Sequence, residues 1–362
     1  MGHTWLTGRE RVSRMFLRQD HDRVPRHDTY WEETISRWQR EGLDGDGNSV
    51  LDLLDSDFRP ICWSRPKPFP GLNDVIAEDQ ATLTLRDCFG NIVRFRKTGD
   101  GAPEFLRFGC VDRDDWDQTY KPLMVTAGLH VNVKAAGDAL AEGRRRGQWT
   151  FFSASETFEV TRQMLGEETT LIAMAAEPEF IQDVSNIYTD LILRDFDALY
   201  DQGIHPDGVW LFGDMAYHHG PMCSPHMYRE LILPDHIRLV QWAHARKLPV
   251  VFHSDGNVAA YLDLYVEAGF DCVHPLENVA SLSLSNIAPK YADSLCLFGN
   301  IDGAVLASND PVRIEQEIAG KLSIGKRTRA YAYHSDHSVP SSVSWETYQL
   351  VIRLLDRYGY YE

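Results

Sequence analysis

The sequence has no C-x-x-C pair, no basic excess, no long apolar run and no glycine-rich dinucleotide loop, and each absence removes a class of function. Its six cysteines, Cys62, Cys88, Cys110, Cys223, Cys272 and Cys296, are scattered along the chain. Cys272 and Cys296 fall inside apolar runs, as reduced, buried thiols of a cytoplasmic protein do. Lys plus Arg number 36 against 53 Asp plus Glu, a net charge of −17. Such a surface repels nucleic acid and anionic lipid, and an anionic substrate would need a locally basic pocket. No apolar stretch reaches the ~18 residues of a membrane span. The polar opening "MGHTWLTGRERVSRMF" is followed by no apolar segment, so no secretory leader is expected. No G-x-G-x-x-G follows a strand-like run, which argues against dinucleotide binding.

What is present is a chain of 362 residues, 43% hydrophobic and 25% charged, with one pattern repeated from about residue 145. A short apolar run ends in a polar cluster, and a helix-length amphipathic segment follows. The runs are "QWTFFSASE" (148–156), "DGVWLFGDM" (207–215), "LPVVFHSDG" (248–256), "FDCVHPLE" (270–277), "SLCLFGNID" (294–302) and "TRAYAYHSDH" (328–337). Runs that are apolar on both faces suggest parallel strands covered by helices. Six strand–helix units in succession predict an α/β fold, a single (β/α)8 TIM barrel spanning 1–362, since barrels of ~250 residues routinely form one domain. "DRVPRHDTYW" (22–31) would be an early strand. Residues 81–111 break the pattern, and "TLTLRDCFGNIVRFRK" (82–97) reads as a β-hairpin insertion turning at Phe89–Gly90–Asn91, extended by "FLRFGCV" (105–111).

In barrel enzymes the chemistry collects at the C-terminal ends of the strands. Those positions here carry Glu156, Asp214, His253 with Asp255, Glu277, Asp302, and His334 with Asp336 and His337, while His27 and Asp28 follow the early strand. One strand ends in H-x-D and the next in Glu277, so His253, Asp255 and Glu277 could converge on one ion across strands ~4.8 Å apart. Imidazole with carboxylates suits Zn²⁺ or another divalent metal, and His334 or His337 could add a ligand from the last strand. Asp214, Glu156 and His27 are acid–base candidates. Tyr30, Trp31, Trp210, Tyr217 and Asp302 are candidates for the substrate wall. Bland roles compete with these. Asp255 before Gly256 and Asn257 suits a turn or helix cap, and His253 could bond a neighbouring carbonyl. His218 and His219 read as exposed loop, and aromatic residues beside barrel strands are usually core.

The ordered segments "ERVSRMF…HDRVP", "DGVWLFGDMAYHHGPMCSPHMYRELILP", "VVFHSDGNV", "HPLEN", "FGNID" and "DHSVP" resemble the uroporphyrinogen decarboxylase superfamily over nearly the whole chain. The resemblance implies a single TIM barrel. True uroporphyrinogen decarboxylases carry an Arg-rich segment after the first strand, whereas "VPRHDTYWEE" (24–33) has one Arg beside Glu32 and Glu33. The zinc-dependent methyltransferase branch, which exchanges methyl groups with corrinoid proteins or thiols, is marked by a strand-end H-x-C and a later Glu. His253 matches that His, Asp255 stands where its Cys would be, and Glu277 matches the Glu. Near the final Cys position there are only His334, Asp336 and His337. Loss of both thiolates implies a harder site, suited to polarising an ether or hydroxyl oxygen.

The expected function is therefore a metal-dependent methyltransferase or demethylase acting on a small methoxylated or similar substrate. A corrinoid cofactor on a partner protein would take the methyl group, and a homodimer is compatible with the pattern. The alternative is a decarboxylase acting on a porphyrinogen or a smaller acid, with Arg26 and Arg162 as its nearest cations. A third reading is a corrinoid- or ligand-binding barrel without chemistry, against which the density of titratable groups argues.

Overall fold

The computed structural model describes residues 5–97 and 103–361. β1 (Phe58–Ser64) precedes β2 (Asp74–Glu78), β3 (Thr82–Arg86), β4 (Ile92–Arg96) and β5 (Glu104–Arg107). β2 to β5 form a four-stranded antiparallel sheet in chain order. Its β3–β4 turn falls where the sequence places it: Asp87 Oδ1 accepts the backbone N–H groups of Phe89 and Asn91, both at 2.9 Å.

The strands that follow are β6 (Trp149–Ser155), β7 (Gly208–Phe212), the short antiparallel pair β8 (Ala216–Tyr217) and β9 (Gly220–Pro221), β10 (Val250–His253), β11 (Cys272–Leu276), β12 (Cys296–Gly299) and β13 (Tyr331–Ala332). β1, β6, β7, β10, β11, β12 and β13 make one parallel sheet in that order. All six runs named above thus supply strands. β1 was not expected, and Pro60 explains why: without an N–H it interrupts the ladder, and the β1–β6 register shifts between Pro60 and Cys62. The 22–31 segment forms bridges rather than a full strand. Arg26 pairs with Tyr333, and Arg26 O also accepts the N–H of Asp57 at 2.9 Å.

Helices connect the parallel strands, and polar side chains start them. Glu156 caps Thr157–Leu165, Ser224 caps Pro225–Leu231 and Asp302 caps Gly303–Ala307, each accepting backbone N–H groups of the first turn. Among the described residues no helix is long and apolar enough to cross a membrane.

Two layers of apolar packing follow from the period-two alternation of the strands. One face of the parallel sheet packs against the helices. The other, inner face carries Phe58, Trp149, Phe151, Trp210, Val251, Cys272, Cys296, Phe298, Ala330 and Ala332, joined by Val12 and Met15 of the helix Gly8–Phe16. Phe58 on β1 meets Phe298 on β12 with ring centroids 4.9 Å apart. They lie five strands apart in the sheet order, so the sheet curls around this core. Near Phe58, the buried Asp57 carboxylate accepts from Arg11 at 2.5 Å, Arg23 at 2.7 Å and the backbone N–H of Arg26 at 2.8 Å.

Candidate functional site

The inner face changes character along the strands. On β10, Val250 and Phe252 point to the helices, where Phe252 stacks on Phe270 at 4.5 Å, while Val251 belongs to the inner core. His253 is one alternation further, so it shares that inner face. Register then lines up its neighbours: Val251 pairs with Trp210 and Cys272, and His253 pairs with Phe212 and His274. An apolar tier is followed by a tier with two imidazoles and an aromatic ring.

His253 stacks on Phe212 at 4.4 Å, and its Nδ1 lies 2.8 Å from Nδ1 of His274. Two neutral rings in that contact share one proton. In the tautomer that leaves His253 Nε2 as a free lone pair, Nδ1–H donates to His274, which then carries its own proton on Nε2. Neither His253 Nε2 nor His274 Nε2 has a hydrogen-bond partner. Burial drives the His253 pKa down to about 3, with His334 and His337 adding to the effect, and it holds His274 well below the ordinary range. Both rings are neutral at pH 7.

His253 Nε2 faces two carboxylates, with Asp214 Oδ1 at 3.7 Å and Asp255 Oδ1 at 3.8 Å. Ligand atoms of Asp214, His253 and Asp255 all lie within 4.8 Å of one another. The backbone ties the two loops together. Asp214 Oδ1 accepts the N–H of Asp255 at 2.9 Å, Ser254 Oγ accepts the N–H of Met215 at 2.9 Å, and Gly213 N–H donates to His253 O at 3.0 Å. Two glycines make this approach feasible. A Cβ on Gly213 would sit 2.2 Å from Glu156 Oε1, and one on Gly256 (φ +87°) would sit 2.2 Å from the carbonyl oxygen of Ala216.

The residues fit a divalent cation. Asp255 Oδ1 and His253 Nε2 are both buried without partners, an arrangement that calls for a ligand. Burial and the negative charge of Asp214, with further repulsion from Glu277 and Asp336, push the Asp255 carboxyl up to about 7 against the opposing effect of His337. A cation among these groups would relieve that repulsion, and the N/O donor set suits zinc or a harder first-row ion.

The other candidate residues fall into three groups. Glu277 and His337 border the triad: Glu277 Oε1 contacts His218 Nδ1, and Glu277 Oε2 lies 4.0 Å from His337 Nε2. His337 Nδ1 is 3.3 Å from Asp336 Oδ1, a contact that raises its pKa to about 9. His218 therefore reaches the site although its loop is exposed.

A second group lies deeper. His334 is buried, its Nδ1 on the carbonyl of Ser335 at 2.5 Å and its ring 4.4 Å from His274. His27 is buried too, with Nδ1 2.8 Å from Ser56 Oγ and its pKa pushed down to about 3 by burial and His334. Trp210 packs in the inner core at 4.6 Å from His274.

The third group is engaged elsewhere. Glu156 is wholly buried and caps its helix while facing His236 Nε2 at 3.0 Å. Asp302 caps the helix Gly303–Ala307 that follows it and accepts from Asn278 Nδ2 at 2.9 Å. Tyr30 OH meets Tyr348 OH at 2.8 Å, Trp31 is exposed, and Tyr217 OH donates to Glu167. Of the cations, Arg26 is buried against Asp356 at 2.8 Å, and Arg162 is held by Glu159 at 2.5 Å.

Sequence reasoning did not single out His274 or Glu159. His274 had one available signal, its alternation with Cys272 in "FDCVHPLE", but only strand register places it beside His253. Glu159, whose pKa burial raises, accepts the N–H of Asp214 at 3.3 Å.

Comparison with solved structures gives a methyltransferase from Methanosarcina mazei at a TM-score of 0.62 and 13% identity, covering 97% of this chain and 99% of that one. That likeness is one of fold. An A. niger ochratoxinase matches at a TM-score of 0.29 and 8% identity, over 82% of this chain and 78% of that one. No curated protein matches significantly. The family model for uroporphyrinogen decarboxylase (URO-D) matches residues 109–358, which takes in β6 to β13 and every residue of the triad, and the chain belongs to that family.

Proposed function

We propose that the chain is a metal-dependent methyltransferase, with Asp214, His253 and Asp255 holding a divalent ion. The observation that carries this reading is the pair of buried, unpartnered atoms His253 Nε2 and Asp255 Oδ1 facing each other at 3.8 Å. A bound ion would supply Lewis acidity to the oxygen of a small methoxylated or similar substrate. The chain's own residues would do the rest. Phe212, stacked on His253, walls the site on one side. His337, held protonated by Asp336, presents its Nε2 proton toward the leaving oxygen, and Glu277 positions that ring. A reduced corrinoid on a partner protein would supply the methyl acceptor, and the electron pair of the broken C–O bond would stay on the oxygen that His337 protonates.

The decarboxylase alternative has less support. Arg26 and Arg162 are both committed to carboxylates, and the groups that face His253 Nε2 are acidic. The same reading takes the chain as one domain and the curled sheet as a closed (β/α)8 barrel. The 24–28 segment would be the eighth strand, since Tyr333 N–H donates to Pro25 O at 2.8 Å while Asp57 N–H donates to Arg26 O at 2.9 Å. The test is elemental analysis of protein purified without chelators, beside His253→Ala. Near-stoichiometric divalent metal that the variant loses is expected, followed by methylation of free reduced cobalamin from a methoxylated donor. Absence of metal from wild-type protein, even after incubation with zinc, cobalt or nickel, would sink the proposal.

A further inference from the structure

β1 ends at Ser64, and the chain runs on through Arg65 and Lys67. This segment and residues 128–132 line an open cavity of about 820 Å³, within the range of small-molecule sites. Its charge is opposite to that of the triad. Although the chain carries 53 acidic residues, no carboxylate lines this cavity, whereas Arg65, Lys67 and His130 do.

Arg65 and Lys67 are available to an anion. Arg65 is aimed without being neutralised: Gln163 Oε1 accepts from its guanidinium at 2.6 and 3.2 Å, and the group lies over Phe89 at 5.1 Å. Neither Arg65 nor Lys67 pairs with a carboxylate among the described residues. The His130 side chain is 6% exposed and neither ring nitrogen has a hydrogen-bond partner. Asp195 sits behind it, accepting from His130 N at 3.0 Å and Ser64 Oγ at 2.7 Å, with Oδ2 3.6 Å from His130 Nδ1. The ring thus lines the cavity with both nitrogens buried and shapes its wall.

Trp63 joins the cavity to the triad. Its indole N–H donates to Ser155 Oγ at 3.0 Å, which fixes a ring that is 52% exposed. The ring lies 5.9 Å from Phe212, which stacks on His253.

We propose that this cavity binds the carboxylate end of the substrate, a small planar organic acid. Arg65 and Lys67 hold the carboxylate, His130 stands in the cavity wall, and the body of the molecule lies along Trp63 and Phe212 toward the triad. The direction of the bound acid rests on the triad being the reacting site; its binding chemistry does not. The local positive charge also solves the problem that a chain of charge −17 poses to an anionic ligand.

The test uses full-length protein stripped of metal by a chelator, titrated with 4-fluorobenzoate and with its neutral isostere 4-fluorobenzamide, and read by fluorine NMR. The benzoate should bind about ten-fold more tightly than the amide, as expected when charge-assisted hydrogen bonds replace neutral ones. Lys67→Gln and Arg65→Gln should each remove most of that preference, and Lys67→Gln decides the matter if the other variant does not fold. Equal affinity for the two probes, binding of neither, or a preference unchanged in Lys67→Gln overturns the inference. Metal content of untreated protein is measured separately. An anion preference without metal binding refutes the triad reading alone, and metal binding without an anion preference refutes this inference alone.

Discussion

Replacing Asp255 by Asn should stabilise the metal-free protein while abolishing its metal site. The fold holds this carboxylate against its charged form, moving its pKa from 3.8 to about 7. A shift of that size corresponds to ~4 kcal/mol at ~1.4 kcal/mol per pH unit. The side chain is 39% exposed, so solvent screening lowers the expected effect to ~1–2 kcal/mol. The sign is set by the order of the two values. Because the folded-state pKa lies above the unfolded one, the folded protein keeps the proton longer, and stability is lost as pH rises from about 4 to 7. Urea denaturation of chelator-treated protein should therefore show wild type and Asp255→Asn alike near pH 4 and the variant more stable at pH 8. Excess zinc should reverse the order at pH 8, since a ligand at ~100 times its Kd adds ~2.7 kcal/mol to whichever protein binds it. If metal-free wild type is as stable as Asp255→Asn at pH 8, the electrostatic account of the triad is wrong.

Two further outcomes follow from contacts already described. His274→Leu removes the acceptor for His253 Nδ1–H and should weaken metal binding ~10–100-fold. His274→Asn, whose Oδ1 can accept the same proton, should keep more of the affinity, and calorimetry showing wild-type binding in the leucine variant would refute the tautomer assignment. Asp57→Ala strands Arg11 and Arg23, although Asp22 and Asp55 still pair with them. It should cost ~3 kcal/mol in urea denaturation and leave the metal affinity of the folded protein unchanged; a variant as stable as wild type would contradict that ledger.

The architecture was legible where strands are apolar on both faces, because a run such as "LPVVF" has few alternatives to a buried parallel strand. β1 was hidden because its first residues, Phe58–Arg59–Pro60, alternate in polarity and include a proline that breaks the ladder. The 22–31 segment was visible as extended chain, but its bonding is limited to isolated bridges, and Pro25 offers no N–H to a ladder. β2, exposed along its whole length, carries no burial signal at all.

The site was legible in part for a related reason. Position at a strand end says that a polar group lies near the mouth, but two different duties compete for that position. Glu156 and Asp214 both follow apolar strands and are indistinguishable by pattern, yet Glu156 turns back to cap the helix that begins at Thr157 while Asp214 turns across to β10. The deciding feature is three-dimensional: helix Thr157–Leu165 starts at once after β6, whereas a loop and the β8–β9 pair separate β7 from its helix. A carboxylate with a helix directly behind it satisfies that helix's free N–H groups; one with a loop behind it is free to meet a neighbouring strand. His274 was concealed by a different gap. Its partnership with His253 depends on the offset between β10 and β11, and a one-residue slip would have turned it to the helices. Spacing along the chain therefore identified the strand that carries the imidazole and carboxylate, while register between strands determined which second imidazole supports it.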